Sequence, residues 1–190
     1  MIETLTYAII SLSQGNDGSW SSLNITVGTP PQSLEVLPAT EIPEIWAVLP
    51  LGCTSTDPSN CTETRGRTFD NTKSSSWITK ATYKLQAESN LGYTANSDNG
   101  NYGFDSIGVG KPGAGNVSLD GQVVAGFLTK DFYLGNLGLA ARPISFDSNN
   151  DPRPSFLSSL QNKGLIPGLA YGFAAGASYR KNRLDIGFLV

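Results

Sequence analysis

The chain has 190 residues, a formal net charge of −3 and no histidine. That length accommodates one large domain or two small ones. The missing histidines exclude His-based metal centres and Ser-His or Cys-His catalysis, and the weak acidity leaves no basic face for nucleic acid. Hydrophobic residues make up 39% and charged residues only 15%, with 21 Gly and 11 Pro spread as turn punctuation. This is the texture of an all-β protein of many short strands around a real core. No apolar run approaches a membrane-spanning length.

In chain order, the pattern predicts a first strand within residues 5–12 and a polar turn at Gln14 to Gly18. Residues 7–12 are too short for a signal-peptide core and have no basic residue before them, so the expectation is a chain without its signal peptide. Trp20 to Val27 alternates, with Leu23, Ile25 and Val27 on one face. Gly28-Thr-Pro-Pro ends that strand, because proline supplies no ladder N–H. Gln32 to Leu37 returns as a hairpin partner, and Glu44 to Leu49 forms the next strand, carrying Trp46. Cys53 and Cys61 follow in a Ser/Thr/Asp/Pro/Asn loop. Three sequons, at Asn24, Asn60 and Asn116, favour a secretory route, glycosylation and pairing of the two cysteines. The polar segment 65–77 contains Phe69, Ser74, Ser75 and Trp77; its hydroxyls suit a tight turn and its aromatics pin it. A hairpin is expected from Thr82 onward, returning through Gly100, Gly103, Phe104, Asp105 and Ile107. A Gly/Pro loop follows at Gly110 to Gly115, then a strand and turn over Gly121 to Leu134, then Asn136 to Ala140. One helix is predicted within 151–166, with Phe156, Leu157 and Leu160 as its apolar stripe and Gly164 as its stop. Short strands are expected at Leu169 to Phe173 and Leu184 to Val190.

The order and spacing of these segments resemble the N-terminal lobe of pepsin-like aspartic proteases. Ile25 to Gln32 resembles that family's I-x-[IV]-G-T-P-P-Q turn. Residues 69–77 resemble F-[ND]-x-x-x-S-S-[ST]-[FWY], residues 100–107 resemble G-x-x-G-[YF]-D-x-[VI], and Asn136 to Ala140 resembles its supporting strand. The resemblance covers most of residues 20 to 175. It implies an all-β, pepsin-like lobe with one short helix, a single lobe over residues 1–190 with no second lobe, and no cofactor or metal. It further implies a flap hairpin, with Tyr93 in the place of the family's flap tyrosine.

Laid on the family pattern, the catalytic aspartate falls on Ala39. Thr40 matches; Glu41, Ile42 and Pro43 replace Gly-Ser-Ser; Glu44, Ile45 and Trp46 match again. Aspartic-protease chemistry needs two carboxylates sharing a proton around a water, and a methyl group can do neither. Neither a second chain nor Glu41, Glu44 or Asp105 is expected to restore it: Glu41 stands where the family needs glycine, and Glu44 at a position pointing away from the dyad. The resemblance thus implies a secreted or cell-surface, fungal-type homologue without activity. Such a lobe would bind a protein or peptide through Tyr93, Thr40 and Trp46, similar in kind to plant xylanase inhibitors. An acid endopeptidase, or part of one, and a truncated fragment are the alternatives. A lone lobe is further expected to pair as a homodimer through its inter-lobe face.

Overall fold

The computed structural model describes residues 7–15, 18–85, 99–111, 114–146, 151–174 and 184–187. Among them lie ten strands: β1 (Tyr7–Gly15), β2 (Gly18–Val27), β3 (Gln32–Ala39), β4 (Ile45–Val48), β5 (Ile78–Lys84), β6 (Asn99–Lys111), β7 (Ala114–Phe127), β8 (Gly135–Gly138), β9 (Gly172–Ala174) and β10 (Leu184–Gly187). The hydrogen-bonded order is β5-β6-β7-β4-β8-β3-β2-β1-β10-β9, and β2 also pairs with β6. That extra pairing closes β6, β7, β4, β8, β3 and β2 into a six-stranded mixed barrel, which leaves no open edge around the core. β5 flanks the barrel on one side; β1, β10 and β9 continue from β2 on the other.

The alternation read in β2 and β3 is the reason the barrel has an inside. Leu23, Ile25 and Val27 from β2 meet Leu34 and Val36 from β3, with Ile107, Val109, Leu119, Val124 and Leu137, in one buried cluster. Each such aliphatic side chain taken fully from water contributes about 1.5–3 kcal/mol. β4 is buried on both faces. Ile45 and Ala47 join the barrel cluster, whereas Trp46 and Val48 join a second cluster with Leu85, Tyr102, Val123, Ala125, Phe127 and Ile144. A strand covered on both sides reads as an unbroken apolar run, as Ile-Trp-Ala-Val does.

The short helix expected within residues 151–166 is present, and a single further helical turn precedes it in the chain. Two α-helical segments are present among the described residues, α1 (Cys61–Thr64) and α2 (Phe156–Asn162), with 3₁₀ turns at Pro50–Gly52 and Asn71–Lys73. α2 is capped by Ser155, whose side chain accepts from Ser158 N–H. It ends at Gly164, whose φ is 69°, with Gly164 N–H bonding Gln161 O and Leu165 N–H bonding Leu160 O. Phe156, Leu157 and Leu160 pack into the barrel cluster. Several boundaries also move. The turn expected at Gln14 to Gly18 shortens, because Gly15 pairs with Gly18. The loop expected at Gly110 to Gly115 is mostly strand, because Lys111 pairs with Ala114. The late strands fall at β9 and β10. The chain from β6 into β7 is therefore one long hairpin, which a short Gly/Pro cluster does not reveal.

The Gly28-Thr-Pro-Pro turn and the 69–77 segment lock together. Thr29 N–H donates to Ser74 Oγ at 3.0 Å, Ser75 N–H to Thr29 O at 2.8 Å, and Ser76 Oγ to Thr29 Oγ1 at 2.8 Å. Gln32 completes the lock by exchanging two bonds with the backbone of Asp70, at 2.9 and 2.8 Å. A side chain at Gly28, whose φ is 87°, would strike Ser74 Oγ at 2.7 Å. The Phe69 and Trp77 rings meet edge to face at 5.6 Å. Two motifs whose contacts span 38 to 47 residues of sequence are thus two halves of one contact.

Candidate functional site

The candidate site is the loop between β3 and β4. These two strands do not pair with each other. β8 lies between them, parallel to β3 and antiparallel to β4. Residues 40–44 must therefore pass over the end of β8. Ala39 is the register partner of Gly138, and Leu139 N–H donates to Ala39 O at 2.8 Å. Ala140 N–H donates to Ile42 O at 3.2 Å. The crossing is tight enough to require glycine: a Cβ on Gly138 would lie 2.4 Å from Glu44 O and 2.7 Å from Glu44 N. Arg142, just beyond β8, donates from Nη2 to Glu41 O at 3.0 Å. Backbone bonds and one guanidinium thus hold the loop from beneath.

Along the loop, Ala39 is half-buried, Thr40 and Glu41 are exposed, and Pro43 and Glu44 are buried. Glu41 is exposed to solvent. Glu44 has no solvent exposure at all. Its Oε2 accepts from Trp46 Nε1 at 3.1 Å and from the Tyr102 hydroxyl at 2.8 Å. Its Oε1 has no hydrogen-bond partner. Burial holds the Glu44 carboxyl above the ordinary 4.5; the bonds from Trp46 and Tyr102, and the charge of Arg142, oppose this without cancelling it. Asp105 is also buried and accepts from Ser76 Oγ at 2.5 Å and Ser106 N–H at 2.8 Å. It braces the Thr29 turn rather than the loop.

Among the residues expected to bind, Trp46 is a correction. It is 1% exposed, with its ring edge-on to Phe132 at 5.1 Å and to Phe127 at 6.0 Å, so it is core rather than a contact surface. Thr40 is exposed beside Ala39. Tyr93 lies outside the described residues. Cys53 and Cys61 form a disulfide. Asn60 is exposed directly before α1, while Asn24 is half-buried within β2, paired opposite Glu35. Asn116 lies in β7, and its side chain is outside the described residues. No cluster of three or more His, Cys, Asp or Glu suited to a metal occurs among the described residues, and no helix there is long and apolar enough to cross a membrane.

Sequence reasoning missed Arg65 and Tyr102. Arg65 is 2% exposed, and among the described residues its hydrogen bonds go to backbone carbonyls. Its Nε donates to Tyr133 O at 3.0 Å, Nη1 to Gly52 O at 2.9 Å and Leu128 O at 3.5 Å, and Nη2 to Thr129 O and Phe132 O at 2.7 Å each. Every guanidinium proton is used, which is what allows the charge to stay buried. Desolvation lowers its pKa. The partners lie 13 to 68 residues away, so no local pattern marks the residue. Tyr102 gave a fainter signal: it is the one large side chain between Gly100 and Gly103.

A closed mixed barrel with a distant strand inserted between β3 and β4, and a glycine-tight loop crossing over it, defines a pepsin-type lobe. In agreement, a family model described as eukaryotic aspartyl protease matches residues 22–184. The chain belongs to that family. A search of curated proteins found no match.

Proposed function

We propose that this chain is a catalytically inactive aspartic-protease-like lobe that binds a peptide or protein segment along its β3–β4 loop. The observation that carries the reading is Ala39. It ends β3 against β8, at the head of the loop that crosses Gly138, where the family pattern puts its aspartate. A methyl group there neither holds a proton nor orients water. The neighbouring acids are otherwise engaged. Glu41 faces solvent, Glu44 is bonded to Trp46 and Tyr102 beneath the loop, and Asp105 is bonded to Ser76 and Ser106. Exposed Thr40 and Glu41 leave the loop's outer side available to a ligand, with Tyr93 as a further contact. The Cys53–Cys61 disulfide and the exposed Asn60 sequon support a secreted or cell-surface setting.

The test is incubation with unstructured protein substrates at acid pH, with and without pepstatin, alongside a peptide-array binding screen on the same preparation. No pepstatin-sensitive cleavage is expected, and retained peptides should perturb the backbone resonances of residues 39–44. Pepstatin-sensitive turnover would overturn the reading of inactivity. Ligands that bind without touching those resonances would overturn the assignment of the surface.

A further inference from the structure

Among the described residues, two buried carboxylates carry an oxygen with no hydrogen-bond donor, Glu44 and Asp105. The partners of Asp105 sit in its own brace of the Thr29 turn. Glu44 instead joins elements that are separate in the chain. Its Oε2 gathers the indole N–H of β4 and the Tyr102 hydroxyl of β6, and that hydroxyl also lies 3.3 Å from Lys84 O at the end of β5. Because Glu44 is the last residue of the crossing loop, one carboxyl ties the loop to the paired strands β5 and β6.

The groups facing this carboxyl do not suit a full negative charge. β4 and β6 offer one neutral donor each, both to the same oxygen. From β5, Tyr83 offers a ring edge-on to Tyr102 at 5.6 Å. On β8, Asn136 is the register partner of Trp46, and its Oδ1 is a second buried acceptor without a donor. Glu41, on the same loop, is exposed. Among the described residues the one charge acting on Glu44 is Arg142, which is exposed and already donates to Glu41 O. Either form leaves Oε1 without a partner, but a bare carboxylate oxygen also carries charge beside Trp46 and Tyr102 of an apolar cluster, and is the costlier of the two.

We propose that Glu44 is a proton-controlled latch: when protonated it holds the 40–44 loop against β5 and β6, and when ionised it is drawn toward Arg142 and solvent and releases the loop from those strands. The latch concerns the packing of the loop alone and stands whether or not a peptide binds there. The raised carboxyl titration described above has the sign this requires.

The test is nitrogen-15 NMR of the full chain as pH is raised from about 4 to about 8. The three indole N–H signals are assigned with Trp20→Phe and Trp77→Phe. The Trp46 indole signal should titrate with a midpoint above the ordinary glutamate value of 4.5, and the protection of the Lys84 and Tyr102 amides relative to their intrinsic exchange rates should fall over the same range. Glu44→Gln should abolish the titration. A Trp46 signal that does not move, or one that moves equally in Glu44→Gln, overturns the latch. If Glu44→Gln fails to fold, Tyr102→Phe and Arg142→Gln decide. Arg142→Gln removes the charge that favours the ionised form and should shift the midpoint upward, whereas Tyr102→Phe removes a bond made only in the held, protonated state and should shift it downward; an upward shift in Tyr102→Phe, the sign for a carboxylate that stays in the pocket, or an unchanged midpoint in both, overturns the proposal.

Discussion

Arg65 and Gly138 show how single residues hold the lobe together through contacts invisible in their own neighbourhoods. Arg65 feeds five backbone carbonyls from one planar fork, and lysine has only three donors. Arg65→Lys therefore leaves at least two of these carbonyls, most of them part-buried, without their donor, a loss of about 1–3 kcal/mol. A fall in the urea midpoint at unchanged m-value would measure it. Gly138→Ala places a methyl group 2.4 Å from Glu44 O. Relief requires the crossing loop to move, at a cost of about 1–3 kcal/mol. The same change should shift the Trp46 fluorescence, because Glu44 carries the indole's acceptor. A stable Gly138→Ala with an unaltered Trp46 signal would contradict the tight crossing. Both residues were written in the sequence, but only Gly138 belonged to a pattern that gave it a meaning.

At the level of elements, the loop between β4 and β5 is fastened in three ways. The disulfide closes a separation of eight residues. Arg65 ties the residue after α1 to the 128–133 segment. Lys130 pairs with Asp57 across the same gap, and Asp57 also accepts from Thr54 N–H at 2.7 Å. By the chain-entropy argument a loop of this length contributes about 2.5 kcal/mol when cross-linked. The double substitution Cys53→Ser with Cys61→Ser should lower unfolding free energy by about that amount and leave the barrel intact, as far-ultraviolet circular dichroism would show. The pairing was legible as an expectation from two cysteines in a polar loop beside sequons. The Arg65 and Lys130 ties were not, because both join the segments that follow the neighbouring strands β4 and β7, which are distant in sequence.

For the molecule as a whole, the titrating groups set opposite limits. Glu44 has a folded-state pKa above 4.5, so its contribution is complete below that value and is lost as pH rises through the folded value. Asp57 is held at about 2 by its bonds from Lys130 and Thr54, against an ordinary 3.8. Its contribution is complete above 3.8 and is lost as pH falls toward about 2. Asp70 and Asp151, lowered by Thr72 and Arg153 respectively, act in the same direction. These aspartates are at the surface, so the acid-side slope is shallow. These groups therefore contribute a fall in thermal stability as pH rises from 4.5 toward neutrality and a shallower one as pH falls below 3.8. Glu44→Gln should flatten the neutral side and leave the acid side unchanged, which differential scanning calorimetry across pH would establish.

The sequence by itself determined the class of fold. Period-two alternation in β2 and β3, proline at the strand ends, the Phe69 to Trp77 segment and the Gly-rich β8 each follow from local chemistry, and their order carried the family resemblance. It also placed Ala39 at the head of the crossing loop. What only the tertiary structure decided was which side chains face which layer. Trp46 sits in an unbroken apolar run, and nothing in that run distinguishes a ligand-facing indole from a core one. Glu44 reads as an ordinary surface acid until β6 brings Tyr102 over it. Burial of a polar group is set by what packs on it from elsewhere in the chain, and here those partners arrive from strands 58 residues away.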